Sequence, residues 1–210
     1  MIDKLCDFLT NKIKKELPDA SEERLEIINY GIHLLVGEIP KTFIFIAIAA
    51  IFGILKEFLI TMLVIMPYRA FSGGFHLKTH LGCILGTSLM YCGIPFISKF
   101  IILSNDIKYF LIVLVWFFGI IMCRLYAPAD TENVPILRKK DRRKKQVLAY
   151  ITLTITLIIG AIINNQVISN IIIIGMFSQS ITITKIAYKL TKNKYGYETY
   201  LQEETANKIA

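Results

Sequence analysis

The sequence predicts an all-α integral membrane protein with about six transmembrane helices and an N-terminal amphipathic helix. The 210 residues are 54% hydrophobic with a mean hydropathy of +0.54, which is too apolar for an ordinary soluble domain. The apolar residues occur in long blocks, as in chains that cross a bilayer repeatedly. The formal net charge of +8 comes from basic residues between those blocks, where they orient membrane helices, so we expect no nucleic-acid partner. We predict one polytopic membrane domain over residues 1–210.

The N-terminal segment, residues 1–20, is predicted to be amphipathic. Apolar side chains of residues 1–17 share one helical face and lysines another, which suits a helix on an anionic membrane surface. A helical hairpin that packs on the rest of the chain is the alternative. Ser21 is the predicted N-cap of the next helix, which we expect to end near Gly37-Glu38-Ile39-Pro40.

Six apolar runs are the predicted spans. The first is shorter than the ~20 residues that a span needs, so its helix either begins before Pro40 with a kink or is short. Lys56-Glu57 is the predicted turn between the first two runs, and residues 189–210 are a polar, partly helical tail. The runs are residues 42–55, 58–66, 81–103, 107–126, 147–163 and 167–186.

The charges of the loops predict how these spans are oriented. Lysine and arginine concentrate in the cytoplasmic loops of membrane proteins. With a cytoplasmic N-terminus and six spans, the outside loops carry only Lys56, Lys99 and Lys108, while the inside loops carry the basic run 138–145. We therefore predict that both termini, and the loop that joins the second and third spans, face the cytoplasm.

That loop lies in a polar stretch, residues 67–83, that interrupts the apolar pattern. Polar groups next to a membrane are costly, which indicates that they have a function. A cysteine with an ordinary pKa of about 8.5 is mostly thiol at neutral pH, so a catalytic cysteine needs a neighbouring base or cation. The stretch contains a possible base and a cation near its cysteine. Its reactive or flexible residues are Arg69, Gly73, Gly74, His76, His80, Gly82 and Cys83.

Cys83 and His76 are the natural nucleophile and base, with Arg69 as a further positive charge. An unbroken helix would hold the two side chains about 10 Å apart, beyond hydrogen-bond reach. Direct proton transfer therefore predicts a break in the helix between them. His80 competes as the base, because side chains spaced i, i+3 on a helix can touch.

Glycines supply the freedom for such a break. Gly73, Gly74 and Gly82 permit a re-entrant path, and the backbone N–H groups around them are candidate donors to an oxyanion. Purely structural alternatives stay open, such as a simple turn at the glycines and a lipid-phosphate contact for Arg69. We expect Cys92 and Cys123 to serve packing.

Two segments resemble motifs of the accessory gene regulator B (AgrB) family of membrane peptidases. Residues 69–83 are similar to its R-x-x-x-G-G-x-H-x(6)-C core. Residues 127–135, A-P-A-D-T-E-N-V-P, are similar to its A-P-x-D-x-x-N-x-P segment after the fourth span. Length, apolar profile and the basic loop that follows agree as well, so the resemblance covers nearly the whole chain.

The resemblance implies a cysteine endopeptidase of the bacterial cell membrane that matures a quorum-sensing propeptide. It assigns the nucleophile to Cys83 and the base to His76 rather than His80. The substrate would be a short amphipathic (AgrD-like) propeptide, cleaved on its C-terminal side, held as a thioester and closed to a thiolactone or lactone. The resemblance also implies a homodimer. The scattered cysteines and histidines show no metal-ligand spacing, so we expect no metal or cofactor.

Further candidate residues follow the fourth span. Asp130 and Asn133 either cap the next segment or orient His76. A basic loop enforces topology and binds anionic lipid, and it also suits recruitment of an acidic propeptide segment. A membrane peptide exporter without enzymatic activity is the alternative function. The residues of the basic loop are Arg138, Lys139, Lys140, Arg142, Arg143, Lys144 and Lys145.

Overall fold

The computed structural model describes residues 2–16, 22–77, 79–132 and 135–209. Two compact units divide the chain, Met1–Ile51 and Phe52–Ala210. Within the described residues the chain is helical and no β-strand is present, apart from one isolated bridge. The predicted all-α class is therefore confirmed.

The first unit contains α1 (Ile2–Glu16) and α2 (Glu22–Ile51), which pack on each other. Thr10 Oγ1 donates a hydrogen bond of 2.9 Å to Asn29 Oδ1 between them. The helix does not end near residues 37–40, because α2 continues through Pro40. Of the two alternatives for the first apolar run, a helix that begins before Pro40 is therefore confirmed. The predicted cap, Ser21, lies outside the described residues.

The second unit begins with a turn at residues 52–54 and continues as α3 (Leu55–Ser72). The turn predicted at Lys56-Glu57 is wrong, because the turn lies a few residues earlier, at residues 52–54 with Gly53 at φ +62°, and both residues lie in α3. Glu57 lies in the first turn of α3, where a negative charge complements the helix dipole. It also pairs with Lys99 at 3.3 Å.

The third apolar run forms α4 (His80–Ser88), a π-helical segment (Leu89–Gly93) and α5 (Ile94–Ser98). The π-helical segment ends two residues before Pro95, which has no N–H to donate. The remaining helices are α6 (Asn105–Tyr126), α7 (Lys139–Ile162), α8 (Gln166–Thr182), α9 (Lys185–Leu190) and α10 (Gly196–Ile209).

Three helical segments in the described part of the chain are long and apolar enough to cross a membrane: Leu81–Ser98, Asn105–Tyr126 and Lys139–Ile162. Ile39–Ile51 and Gln166–Thr182 are shorter apolar helices. Large apolar side chains project outward from the second unit, such as Leu63 at 75% exposure and Phe110 at 66%. Water would not tolerate so many such groups, but lipid does. The count of six spans and the orientation stay predictions.

Helix α8 is the core of the second unit, where it packs against α3, α6 and α7. Its buried residues include polar ones, and each satisfies a backbone group or a hydroxyl of a neighbouring element. Asn170 Nδ2, for example, donates to the carbonyl of Ile101 at 2.9 Å. Near the other end of α8, Ser180 Oγ lies 3.0 Å from Tyr68 Oη, which also contacts Cys123 Sγ at 3.1 Å. Helix α8 therefore supports the neighbouring elements that carry the candidate site.

Candidate active site

The helical path breaks between α3 and α4, as the sequence predicts. Helix α3 ends at Ser72, residues 74–77 are not helical, and α4 begins at His80. His76 lies on this non-helical segment and Cys83 lies within α4. A single straight helix from His76 to Cys83 is thereby excluded. Lys78 and the side chain of His80 lie outside the described residues.

Gly73 and Gly74 make this break possible. Their φ angles are +76° and +144°, values that other residues rarely adopt. A Cβ atom on Gly73 would overlap the carbonyl oxygen of Ala129, and one on Gly74 would come within 2.8 Å of Thr182 Oγ1. Both positions therefore need glycine for conformation and for space.

The glycine pair, Gly73 and Gly74, is hydrogen-bonded to the second motif, residues 127–135. Gly73 and Ala129 form an isolated parallel bridge. Ala129 N donates to the carbonyl of Ser72 at 2.8 Å, and Gly74 N donates to the carbonyl of Ala129 at 2.9 Å. Nothing in the spacing of the sequence brings the two motifs together. In the structure, these hydrogen bonds bring the two motifs together in one site.

Arg69 and Gln179 fix the same turn from the side of α8. Arg69 donates from Nη2 to the carbonyl of Phe75 at 2.9 Å and from Nη1 to Gln179 Oε1 at 3.3 Å. Gln179 Nε2 donates to the carbonyl of Gly73 at 2.8 Å and to Ser72 Oγ at 3.0 Å. The sequence analysis missed Gln179, although a polar residue inside an apolar run is a signal that it has a partner.

The backbone amides of the glycines donate within the chain. Gly73 N donates to the carbonyl of Arg69 at 2.9 Å, in addition to the bond from Gly74 described above. Gly82 N donates to Thr79 Oγ1 at 3.1 Å, which caps α4. Since each of these amides already has an acceptor, the glycines shape the site in this conformation instead of presenting open donors.

Cys83 lies at the end of the first turn of α4. Its N–H donates to the carbonyl of Thr79 at 2.9 Å, and its Sγ lies 4.0 Å from Thr87 Oγ1. Of the four cysteines, Cys6, Cys92 and Cys123 are buried, whereas Cys83 is half-buried. Cys83 is thus the most exposed of the four cysteines in the structure.

His76 is exposed on the segment that leads to α4. Asn193, in the turn between α9 and α10, donates from Nδ2 to the carbonyl of His76 at 2.8 Å. The same amide group bonds Thr191 Oγ1 at 2.8 Å, which fixes its direction. The backbone of His76 is therefore held by the C-terminal helices, a partnership that the sequence does not reveal.

Asp130 is buried and contacts the loop after α6 and the start of α7. Its Oδ2 accepts hydrogen bonds from the N–H of Ile136 at 2.8 Å and from Arg142 Nη1 at 2.9 Å. Arg142 Nη2 also donates to the carbonyl of Pro128 at 3.2 Å, and its guanidinium lies 4.3 Å from the ring centre of Tyr197. These contacts close the loop after α6. Asn133 lies outside the described residues.

The basic run is helical rather than a loop, because α7 begins at Lys139. Lysine and arginine are good helix formers, and Asp141 in the first turn complements the dipole. Arg142 is engaged with Asp130, so its charge is already paired. The other members with exposed side chains are Arg138, Lys139, Lys140, Arg143 and Lys144, and Lys145 is half-buried.

Two tyrosines of the C-terminal helices complete the support of Ala129. Tyr188 Oη donates to the carbonyls of Ala129 at 2.9 Å and Asp130 at 3.1 Å. Tyr195 stacks on Tyr188 with ring centres 4.1 Å apart and donates to the carbonyl of Ile183 at 2.8 Å. Burial raises the pKa of both phenols. Both therefore stay protonated donors at neutral pH.

Together the fold and the site define a helical membrane protein with a histidine on a non-helical segment and a half-buried cysteine in the helix that follows it. The chain belongs to the family described as Accessory gene regulator B (AgrB), which matches residues 6–183. It is thus a component of the agr quorum-sensing system, and membership of the family implies a propeptide substrate.

Relatives with the same description cover almost the full length. An AgrB-like protein of Listeria innocua is 29% identical over 199 residues, which are 94% of both chains. One from Clostridium perfringens is 31% identical over 206 residues, 91% of this chain and 95% of the relative. One from Clostridium acetobutylicum is 25% identical over 207 residues, 97% of both. No solved structure matches the chain.

Proposed function

We propose that this protein is a membrane-embedded cysteine endopeptidase that cleaves the C-terminal part of a quorum-sensing propeptide, with Cys83 as nucleophile and His76 as base. The helix break is the observation that carries the proposal. An exposed histidine on a non-helical segment leads into a helix whose first turn ends at the accessible cysteine. The first turn of a helix also favours negative charge, because its N–H groups leave a partial positive charge there.

The first step forms an acyl-enzyme. His76 takes the proton of Cys83, and the thiolate adds to the carbonyl carbon of the scissile amide. The C–N bond breaks, and the leaving amine takes the proton from His76. The N-terminal part of the propeptide then remains on Cys83 as a thioester, and the C-terminal fragment leaves as a free amine.

The second step closes the ring. A thiol or hydroxyl within the held peptide attacks the thioester carbon and forms a thiolactone or lactone. The C–S bond to Cys83 breaks, and the proton of the attacking group returns to the Cys83 sulfur through His76. Shielding from water favours the internal nucleophile over hydrolysis. The uphill conversion of amide to thioester is driven by removal of the C-terminal fragment.

The remaining site residues support this chemistry by position. Arg69 holds the carbonyl of Phe75, directly before His76, and it brings a positive charge to the site. Gly73, Gly74 and Gly82 shape the path of the chain around the bound peptide. Asp130 holds the loop that carries Ala129, the partner of Gly73, and Asn133 belongs to the same segment.

The membrane arrangement in this proposal has six spans, with both termini and the active site in the cytoplasm. A freshly made propeptide reaches the site from that side. The exposed basic residues at the start of α7 steer anionic segments toward it and contact anionic lipids. Two copies of the chain form the homodimer that the family resemblance implies.

Co-expression with the propeptide tests the proposed function. Cys83→Ala and His76→Ala should abolish cleavage while the protein still inserts in the membrane, and Cys83→Ser should lose most activity because a hydroxyl is a far weaker nucleophile. Cys92→Ala and Cys123→Ala are the matched controls and should still cleave. Persistent cleavage by purified Cys83→Ala would show that Cys83 is not the nucleophile.

A further inference from the structure

A cleft lined by both polar and apolar surface opens between α9, the turn after it and α10. Its volume is about 270 Å³. Tyr188 forms part of its buried floor and is fixed by the two hydrogen bonds to the 129–130 backbone and by the stacked ring of Tyr195. The cleft therefore has a built, rigid base and is not a gap between loose side chains.

The cleft adjoins the catalytic segment. Asn193 lines it and donates to the carbonyl of His76 at 2.8 Å. One side chain thus forms the wall of the cleft and holds the backbone of the residue that we propose as the base. A peptide that passes His76 would reach this cleft with its next few residues.

The charge of the cleft is positive. Lys185, Lys189 and Lys194 line it, against one carboxylate, Glu198. All three lysines are exposed, so their ammonium groups can move to meet a ligand. Lys194 pairs with Glu132 at 3.3 Å, with side chains 73% and 41% exposed. Such an exposed pair is weak and exchanges readily for another carboxylate.

We propose that this cleft binds an acidic segment of the peptide substrate, next to the bond that is cleaved. The inference rests on the proposed function for the statement that the peptide is the substrate. Ammonium groups recognise carboxylates as point charges, and three of them above a rigid floor suit a short run of aspartate or glutamate. The cleft holds the segment at close range, whereas the basic residues of α7 steer it from a distance.

The test measures binding without catalysis. Fluorescein-labelled hexaglutamate and hexaglutamine peptides are titrated, by fluorescence anisotropy, into the full Cys83→Ala chain in zwitterionic nanodiscs. Hexaglutamate should bind more tightly than hexaglutamine, and the preference should weaken with salt. Adding Lys185→Gln and Lys189→Gln should weaken hexaglutamate binding about fivefold, the size expected for two partly exposed charge contacts.

A charge-matched control isolates the cleft. Lys56→Gln with Lys192→Gln removes the same net charge from exposed lysines that do not line it, and this pair should leave hexaglutamate binding nearly unchanged. Equal binding by the cleft variant and its parent would overturn the proposal. The proposal would also be overturned if only Arg143→Gln with Lys144→Gln weakened hexaglutamate binding, because the acidic segment would then bind to α7. If the cleft variant bound anionic lipid more weakly but bound hexaglutamate as its parent does, the cleft would be a lipid site and the proposal would be overturned.

Kinetics on the propeptide, with Cys83 intact, separate this inference from the proposed function. The cleft variant should raise KM and leave kcat unchanged, because its lysines hold substrate remote from the reacting atoms. If Cys83→Ala still cleaved the propeptide, the peptidase proposal would fail while the hexaglutamate result stood. If cleavage required Cys83 but the cleft variant matched its parent in KM, only the cleft assignment would fail.

Discussion

Residues 69–75 and residues 76–83 adjoin in the sequence but are held in opposite ways. In the first segment, here the anchored half, side-chain and backbone groups bond to α8 and to the 127–135 loop. In the second, the reactive half, His76 is exposed and Cys83 half-buried, and its contacts include local and backbone bonds such as the Thr79 cap and the bond from Asn193. The anchored half is thus a fixed support, and in the proposed mechanism the reactive half presents His76 and Cys83 to a peptide.

The difference between the two halves predicts that substitutions affect the free energy of unfolding in one and only cleavage activity in the other. A buried polar group that loses its partner costs about 1–3 kcal/mol, so substitutions in the anchored half should destabilise the fold and disturb activity together. Substitutions of the reacting side chains should remove activity and leave the free energy of unfolding almost unchanged. The following predictions test this separation, from the largest expected change in stability to the smallest.

Gly73→Ala should have the largest effect. Its φ of +76° and its contact with Ala129 leave no space for a Cβ, so we expect a loss of at least about 3 kcal/mol in the free energy of unfolding. Thermal unfolding in detergent, followed by circular dichroism, measures it. The matched control is Gly31→Ala, where nothing lies within 4 Å. Equal melting temperatures for both variants would show that the anchored half is not fixed.

Gln179→Met should cause the second-largest loss in the free energy of unfolding. The substitution keeps the length of the side chain but removes the hydrogen bonds to the carbonyl of Gly73 and from Arg69 Nη1, which costs about 2 kcal/mol. Gln166→Met is the control, because Gln166 gives up one bond to the carbonyl of Leu103 far along α8. We expect the control to cleave the propeptide normally and Gln179→Met to cleave it poorly. Matching cleavage rates in the two variants would argue against support of the turn by α8.

Asp130→Asn should have a smaller effect of about 1 kcal/mol, because the amide still accepts one hydrogen bond and Arg142 is partly exposed and keeps its other contacts. A double-mutant cycle with Arg142→Gln measures the coupling between the two side chains. We expect a clear coupling energy in thermal unfolding. Additive effects would mean that the ion pair does not hold the loop.

His76→Ala and Cys83→Ala should change stability least, by less than about 0.5 kcal/mol, as is usual for side chains that are not fully buried. Both should nevertheless eliminate cleavage. Accessibility gives a second readout, since Cys83 should react with a maleimide faster than the buried Cys92 and Cys123. Similar, slow labelling of all these cysteines would contradict the exposure of the reactive half.

Much of the fold could be predicted from the sequence, because apolar runs and glycines act locally. The helix break before Cys83 and the three long apolar helices follow from these signals. The pairing of Gly73 with Ala129 and the role of Gln179 could not be predicted, since they depend on contacts between residues far apart in the chain. The turn at Gly53 was missed, and Pro40 left two alternatives open, because proline and charged pairs only bias where a helix ends.

The most direct test of the central claim, that Cys83 carries the acyl group, is to trap that group. A propeptide whose ring-closing thiol or hydroxyl is replaced by alanine can be cleaved but cannot cyclise, so the thioester should accumulate. Mass spectrometry of the digested protein should then find the peptide's acyl mass on the fragment that contains Cys83, released by hydroxylamine and absent from His76→Ala. An adduct on another residue, or cleavage with no adduct at all, would contradict the account.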